Sequence, residues 1–212
     1  MKKSVSLTLL FSLTAFTQGA LAQQTLRFGV DPTFPPFESK AADGSLQGFD
    51  IDIGNAICAQ AKVKCQWVQM GFDSSIPALQ AKKFDAILSA MSMTDKRRQQ
   101  VAFSDMLYNT PSALLAPAAS KLTTDVASLR GKTIGVAQGT IQETYAKTKW
   151  ESQGVKIVSY PNQMEVYPNL VAGRLDGSLA KAVSAEQGCL TTSEGKPYAI
   201  KGTLVDKVIF GD

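Results

Sequence analysis

The sequence predicts an α/β protein of two lobes, because strand and helix patterns alternate along the chain in two successive series. The break between the series falls near Asn109-Thr110-Pro111, so each lobe would contain about 90 residues. This alternation indicates parallel sheets covered by helices, and two lobes of this kind are expected to hold a ligand cleft between them.

The first series contains three predicted strands and two predicted helices. The strands cover Thr25–Val30, Cys65–Met70 and Phe84–Leu88, and the helices cover Gly48–Ala61 and Ser74–Ala81. Apolar residues recur at helical spacing in the first helix, and the face expected to be buried consists of Phe49, Ile53, Ala56 and Ile57. Asp50 and Asp52 lie in its first turn, where the helix dipole favours negative charge.

The second series repeats the alternation. Its strands are predicted at Thr133–Ala137, Lys156–Tyr160 and Gly177–Leu179, and its helices at Ile141–Ser152, Met164–Ala172 and Lys181–Cys189. Gly173 is expected to end the second of these helices, because glycine readily adopts the left-handed conformation that follows a helix.

The segment from Phe84 to Arg97 is the strongest indication of a binding site. A strand pattern ends in Ser89 and Ser92, and a helix then begins with Thr94 or Asp95 as its cap and Arg97 in its first turn. Ligands of open α/β sheets bind beyond the carboxyl ends of strands, and an arginine fork matches a carboxylate with two hydrogen bonds. The segment therefore predicts a small carboxylate ligand, although common scaffolding of this kind also carries an arginine near a helix cap.

The first 22 residues are typical of a signal peptide. Lys2 and Lys3 form a basic start, an apolar stretch covers Val5–Phe16, and Ala20-Leu21-Ala22 supplies a cleavage pattern before Gln23. The apolar stretch is shorter than the roughly 20 residues that a membrane-spanning helix needs. We expect cleavage after Ala22 and an exported protein, with an uncleaved anchor as the alternative.

Composition narrows the class of function. Hydrophobic residues make up 44% of the chain and charged residues 19%, which suffices for a core. Without Lys2 and Lys3 the formal charge falls from +4 to +2, so neither nucleic acid nor a membrane surface is an expected partner. The chain contains no histidine, which excludes histidine-based catalytic triads and histidine-ligated zinc. We expect neither an enzyme nor a metal or other cofactor.

Cysteine usage agrees with export. Cys58 and Cys65 lie at the end of a helix pattern and the start of a strand pattern, and in an oxidising compartment they are expected to form a disulfide. Closing this short loop would contribute roughly 2 to 3 kcal/mol. Two free buried thiols are the alternative, and Cys189 is left without a predicted partner.

Both predicted lobes contain short motifs that point to one family. The first lobe contains Asp31-Pro-Thr-Phe-Pro-Pro-Phe37, Gly48-Phe-Asp-Ile-Asp52, Phe72 with Ile76-Pro77-Ala-Leu79, Lys83-Phe-Asp-Ala86 and Ser92-Met-Thr-Asp-Lys-Arg97. The second contains Gly131-Lys-Thr-Ile-Gly135, Gln138-Gly-Thr140 and Ala172-Gly-Arg-Leu-Asp176. Together these motifs resemble the periplasmic amino-acid-binding proteins of ABC importers (solute-binding family 3), in the branch that binds lysine, arginine, ornithine or histidine.

The resemblance implies a type II periplasmic-binding-protein fold, in which a two-strand hinge joins two α/β lobes. It places lobe 1 at residues 23–110, lobe 2 at residues 111–203 and the start of a return crossing at residues 204–212. Relatives continue past this point, so the second crossing and the helices that finish lobe 1 are expected to be missing. Lobe 1 would then expose apolar faces.

The resemblance also implies roles for individual residues. Arg97 would grip the ligand α-carboxylate with help from backbone groups at Ser92 and Thr140, and Asp31 would meet the distal cation. Phe34 and Phe72 would sandwich the ligand side chain, to which Ser89 and Gln142 would add hydrogen bonds. The alternatives are core packing for the two phenylalanines, a structural ion pair for Arg97 and a turn for Asp31.

Three positions in the site depart from the family pattern. Lys181 stands where relatives have an aspartate that holds the ligand α-ammonium, which would exchange attraction for repulsion. Ala90 replaces a serine of some relatives, and Phe34 replaces a common tyrosine.

The leading functional hypothesis is periplasmic binding of a cationic L-amino acid by a monomer that delivers it to an ABC permease in the inner membrane. Three alternatives stay open. The chain could be a truncated fragment unable to bind, it could bind an altered ligand such as an opine, or it could be a dehydratase acting on cyclohexadienyl acids, which the absence of histidine disfavours.

Overall fold

The computed structural model describes residues 23–210, except for the side chain of Val208. The predicted signal peptide and the last two residues lie outside the described part of the chain. No helix of residues 23–210 is long and apolar enough to cross a membrane.

The described chain alternates short strands and helices. The strands are β1 (Thr25–Val30), β2 (Ser39–Lys40), β3 (Leu46–Gln47), β4 (Lys64–Gln69), β5 (Ala86–Ile87), β6 (Ser112–Pro117), β7 (Thr133–Ala137), β8 (Lys156–Tyr160), β9 (Gly177–Lys181) and β10 (Tyr198–Leu204). The helices are α1 (Phe49–Ala61), α2 (Ser75–Gln80), α3 (Asp95–Arg98), α4 (Val126–Leu129), α5 (Ile141–Tyr145), α6 (Gln163–Val171), α7 (Ala182–Ala185) and α8 (Lys207–Phe210). Helices α5 and α7 continue as π-helical turns, Ala146–Trp150 and Glu186–Leu190.

The first lobe is built on a three-stranded parallel sheet in the order β4-β1-β5. Strand β1 lies in the middle, so its carboxyl end is flanked by the loops that follow β4 and β5. Phe28 on β1 stacks on Trp67 of β4 with ring centroids 5.1 Å apart. Trp67 also covers Gly54 of α1, where an added Cβ would lie 2.5 Å from the indole ring. This close approach holds α1 against the sheet.

The second lobe is built on a five-stranded mixed sheet in the order β10-β6-β9-β7-β8. The pairs β7–β8 and β7–β9 are parallel, whereas β6 is antiparallel to both β9 and β10. The predicted parallel sheet is present as β9-β7-β8, and the antiparallel strands β6 and β10 extend it on one side. Strand β6 is not predicted because it reads Ser-Ala-Leu-Leu-Ala-Pro, without the β-branched or aromatic residues that mark a strand. Strand β10 is not predicted because Gly202 interrupts its pattern, at the place where its register with β6 shifts.

Apolar side chains cover both faces of this sheet. On β6, Leu114 belongs to the cluster around Trp150 and Leu129, while its neighbour Leu115 belongs to the cluster around Leu170 on the opposite face. Because successive strand residues point to opposite faces, one fully buried strand serves both layers of helices.

The predicted buried face of α1 is wrong. The residues that α1 buries are Asp50, Ile51, Gly54 and Cys58, whereas Phe49 is 48% exposed and Ile57 is 43% exposed. The apolar pattern gave the wrong face because the helix turns the polar Asp50 inward. There Asp50 accepts hydrogen bonds from Ala90 N–H at 2.7 Å and from the Tyr108 hydroxyl at 2.7 Å.

Most other element predictions agree with the structure to within two residues. The main exceptions are the predicted helices at residues 141–152 and 181–189, which are α-helical only as far as Tyr145 and Ala185. Gly173 follows α6 with φ +70° and donates its N–H to the Leu170 carbonyl, as the glycine stop predicts.

Cys58 and Cys65 form the predicted disulfide, which links the last turn of α1 to β4 across a sequence separation of 7. Cys189 is a free and buried thiol. The bridge fixes the end of α1 to the beginning of β4 in the first lobe.

Replacing both bridged cysteines by serine should lower the free energy of unfolding by about 2–3 kcal/mol, because the unfolded chain regains the freedom of the open loop. Urea unfolding followed by circular dichroism measures the loss. The reduced wild type should show the same loss, and the double variant should not respond to reductant. A double variant that is as stable as the oxidised wild type would contradict this account.

Candidate functional site

The two lobes meet around a small cavity. It is lined by Phe34, Phe72, Ser89, Ala90, Ser92, Arg97, Thr140, Ile141, Gln142 and Lys181. Nine of these are predicted site residues, and the tenth predicted residue, Asp31, adjoins the cavity by accepting a hydrogen bond from Phe72 N–H at 3.0 Å. The structure therefore brings together the whole predicted set.

The site residues follow the carboxyl ends of strands in both lobes. Asp31 comes directly after β1, and Ser89 comes two residues after β5. In the second lobe, Thr140 follows β7 and Lys181 ends β9. This arrangement agrees with the rule that open α/β sheets bind ligands beyond the carboxyl ends of their strands.

Arg97 reaches from the first lobe to the second. The Thr94 side chain caps α3 by accepting the Arg97 N–H at 3.3 Å, as the sequence predicts. The guanidinium donates from Nη1 to the Ser92 carbonyl at 2.8 Å and from Nη2 to the Gly139 carbonyl at 2.9 Å. Burial lowers the pKa of Arg97 to about 10, so it stays positively charged near neutral pH. Arg97 is thus a cation with hydrogen-bond donors facing the cavity.

Gly139 lets the second lobe approach this closely. It has φ +73°, and an added Cβ would lie 2.6 Å from the Asp73 Cα of the first lobe. Only glycine avoids both the steric clash and the backbone strain at this position.

Two buried rings form an apolar wall of the cavity. Phe34 and Phe72 lie with ring centroids 5.6 Å apart at an interplanar angle of 59°, and Ala137 and Met91 pack against them. The Arg97 Cζ lies 5.4 Å from the centroid of Phe72, within the range of a cation–π contact. The rings lie together, so a ligand between them would have to separate them.

Asp31 is a buried acidic residue, only 2% of whose surface is exposed. Burial raises the pKa of Asp31 to about 6, against the opposing effects of hydrogen bonds from the Thr33 side chain and the Phe72 N–H. Such a carboxylate gains most from a cation that approaches it, because it has little water to lose.

Lys181 points into the cavity from the second lobe. Its Nζ donates to the Ser92 Oγ at 3.1 Å and to the Thr110 Oγ1 at 3.2 Å. Burial, and then the positive charge of Arg97, lower the pKa of Lys181 to about 8, while Glu38 and Asp50 oppose the shift. Two cations therefore face one cavity.

The remaining polar residues of the predicted set already have protein partners. Gln142 donates from Nε2 to the Ser112 Oγ at 2.8 Å. Thr140 caps α5 by accepting the Glu143 N–H at 3.1 Å and donates its hydroxyl to the Ala137 carbonyl at 2.7 Å. Their side chains position the second-lobe wall of the cavity.

Sequence reasoning missed a buried acidic layer beneath the cavity. Glu38 has no exposed surface, and its Oε1 accepts the Ser89 hydroxyl at 3.0 Å. Burial, and then the charge of Asp50, raise the pKa of Glu38 well above its usual value. Burial likewise raises the pKa of Asp50. The position of Glu38 next to the apolar Phe37 was the available sign of burial in the sequence. The neighbouring residues do not show that the Glu38 side chain turns inward.

A larger groove of about 530 Å³ lies beside the cavity and shares Ser89, Ala90, Ser92 and Lys181 with it. The groove follows β5 and the segment 101–112, and its exposed apolar residues include Met106, Leu107 and Val205. The smaller cavity is the stronger candidate for a ligand site, because only it adds Arg97 and the two buried rings.

Residues 23–210 contain no cluster of three or more histidine, cysteine or acidic side chains that could hold a metal ion. The chemistry of the site is that of recognition: cations with donors on one side, a buried carboxylate on another and aromatic rings between them.

Comparison with known proteins gives consistent matches. The model for bacterial extracellular solute-binding proteins, family 3, matches residues 26–152. The lysine/arginine/ornithine-binding periplasmic protein of Escherichia coli (strain K12) is 49% identical over 215 residues, which cover 100% of this chain and 83% of that protein. The L-arginine-binding protein of Pseudomonas aeruginosa is 44% identical over 192 residues, which cover 90% of this chain and 74% of that protein.

Solved structures agree with the sequence matches. A periplasmic binding protein of Salmonella typhimurium, described as having high arginine specificity, matches with a TM-score of 0.81 at 32% identity. The match covers 88% of this chain and 81% of that one.

Lys181 should make stability depend on pH in the alkaline range. Its pKa is about 8 in the fold against an ordinary value of 10.5, so between these values the unfolded chain binds more protons and stability rises with pH. The free energy of unfolding of the wild type should rise by up to about 3 kcal/mol relative to Lys181→Met over this range.

Urea unfolding at several pH values measures this difference. Lys156→Met is the matched control, since Lys156 is an exposed residue of β8 in the same lobe, and it should follow the wild type. A difference between wild type and Lys181→Met that stays constant with pH would refute the inward position of the lysine.

Proposed function

Because the chain belongs to the bacterial extracellular solute-binding proteins of family 3, we propose that it binds an amino-acid ligand with a carboxylate at one end and a cation at the other. Its relatives are periplasmic binding proteins, which implies the periplasm as its compartment. Arginine, ornithine, lysine and histidine are the ligand candidates that the relatives suggest. Export would depend on the signal peptide at residues 1–22, with cleavage after Ala22.

The observation that carries this proposal is the polarity of the cleft. Arg97 supplies a planar pair of donors suited to a carboxylate, and Asp31 supplies a buried negative charge suited to a distal ammonium or guanidinium. Phe34 and Phe72 lie beside these charged groups and suit the aliphatic part of such a ligand. The cleft thus offers one partner for each part of a cationic amino acid: the carboxylate, the aliphatic chain and the distal cation.

Binding would couple to movement of the lobes. The space enclosed by the site residues is about 10 Å³, roughly that of a single water molecule. Arg97 and Lys181 both bridge the lobes through hydrogen bonds to Gly139 and Ser92. A ligand would replace these bridges with its own contacts, and hinge closure around it is the expected response.

The proposal includes a division of the chain into domains. In it, lobe 1 corresponds to residues 23–110, lobe 2 to residues 111–203, and residues 204–212 to the start of a return crossing. The partner in this proposal is an ABC permease that recognises the closed form. The role is delivery by a monomer and not catalysis, because the polar groups of the cleft are arranged for binding.

Isothermal titration with L-arginine and agmatine, which lacks the carboxylate, tests the role of Arg97. The wild type should bind arginine and should bind agmatine at least about a hundredfold more weakly, because the carboxylate contact is charged and paired. Arg97→Lys should bind arginine roughly ten- to a hundredfold more weakly, since an ammonium cannot form two parallel bonds.

Arg98→Lys is the matched control, because Arg98 is exposed and its guanidinium donates a hydrogen bond to the Met93 sulfur at 3.5 Å, away from the cavity-lining residues. It should bind arginine like the wild type. Equal binding of arginine and agmatine would show that Arg97 does not bind the ligand carboxylate. A folded protein with no affinity for any ligand that carries a carboxylate and a distal cation would refute the proposal.

Asp31 should make ligand affinity depend on pH in the acid range. With a pKa of about 6, it becomes protonated as the pH falls and loses its attraction for the distal cation. Arginine should bind about tenfold more weakly near pH 5 than near pH 7. Asp31→Asn should bind weakly at both values, whereas Asp52→Asn, an exposed change on α1, should keep the wild-type profile. A profile unchanged by Asp31→Asn would assign the effect to another group.

A further inference from the structure

Two cations converge on one residue of the first lobe. The Arg97 guanidinium binds the Ser92 carbonyl at 2.8 Å, and the Lys181 ammonium binds the Ser92 hydroxyl at 3.1 Å. They reach this residue from opposite lobes, and both line the cavity. Any ligand group beside the carboxylate bound by Arg97 would therefore lie close to Lys181.

No carboxylate compensates either cation directly within the described chain. Among residues 23–210, no acidic oxygen lies within 4.0 Å of Arg97 or Lys181. Glu38 and Asp50 influence Lys181 from the layer below, but they are engaged there with Ser89 on one side and Ala90 and Tyr108 on the other. The cavity thus presents an excess of positive charge where a ligand carboxylate would lie.

The hydrogen-bonding capacity of Lys181 points the same way. A protonated lysine has three N–H donors and no acceptor. Two donors are used by the hydroxyls of Ser92 and Thr110, which leaves one for a ligand. That donor can bind an oxygen acceptor, whereas a ligand ammonium offers only donors and a like charge.

We propose that the cleft selects, among carboxylates with a distal cation, those that carry an oxygen acceptor beside the carboxylate in place of a free ammonium. This inference rests on the proposed function and specifies the ligand class of the same site. Arg97 binds the carboxylate, Lys181 donates to the adjacent acceptor, and Asp31 meets the distal cation. The acceptor can be the carbonyl oxygen of a 2-oxo acid or a second carboxylate attached through the amino nitrogen, as in an opine.

Isothermal titration near pH 7 with three guanidino ligands tests the inference. The ligands are L-arginine, 5-guanidino-2-oxopentanoate and octopine, which share the distal guanidinium and differ beside the carboxylate. The wild type should bind at least one of the last two roughly tenfold or more tightly than arginine, and the better of the two identifies the source of the acceptor. Lys181→Asp should reverse this order in favour of arginine.

Two further variants control for fold and charge. Lys156→Asp makes the same charge change on an exposed strand residue of the second lobe and should keep the wild-type order. Lys181→Met should bind all three ligands with similar affinity, and it replaces Lys181→Asp in the comparison if the aspartate variant does not unfold cooperatively.

The outcomes separate the two proposals. If the wild type binds arginine most tightly, or if Lys181→Asp and Lys181→Met keep the wild-type order, the inference is overturned and the proposed function stands. If Lys181→Asp binds arginine and the wild type binds no ligand with an acceptor, the inference also fails. If folded wild type and variants bind none of the three ligands, the proposed function fails and the inference falls with it.

Discussion

The hydroxyl of Ser89 is the interaction on which the first-lobe side of the site depends. It accepts the Asp31 N–H at 2.9 Å and donates to the Glu38 carboxyl at 3.0 Å, and all three residues are at least 98% buried. One atom therefore joins the end of β1, the end of β5 and the turn that carries Phe34. Loss of this hydroxyl would leave two buried polar groups unpaired, which typically costs about 1–3 kcal/mol each.

The residue that follows Ser89 sets the direction of the chain toward Arg97. Ala90 has φ +47°, an uncommon conformation for a residue with a Cβ, and its N–H donates to Asp50 at 2.7 Å. The buried hydrogen bond offsets the local strain. Asp50 in turn accepts a hydrogen bond from the Tyr108 hydroxyl. Asp50 on α1 and Tyr108 near the hinge therefore support the floor of the cavity together. The inward position of Asp50, which broke the amphipathic pattern of α1, is thus part of the site.

The two lobes contribute groups of different kinds. The first lobe supplies the rings, the buried carboxylates and Arg97, whereas the second supplies backbone groups at Gly139 and the ammonium of Lys181. The lobes contact each other through the polar bridges of Arg97 and Lys181 and through Ala137, which packs against Phe34 and Phe72. The polar bridges can exchange for contacts with a ligand. This is the behaviour expected of a hinged binding protein, in which each lobe keeps its own core and the cleft carries the recognition.

The sequence by itself determined most of the strands and helices, the cap at Thr94 and the disulfide, and the family motifs supplied nine of the ten residues that line the cavity. The helix cap and the disulfide depend on contacts between near neighbours, since Thr94 and Arg97 are three positions apart and Cys58 and Cys65 are seven positions apart. The tertiary structure alone decided that Asp50 and Glu38 turn inward and that Lys181 binds Ser92, which is 89 residues away in the chain. Local sequence patterns cannot specify such contacts, because the direction of these side chains is set by elements that are distant in the chain.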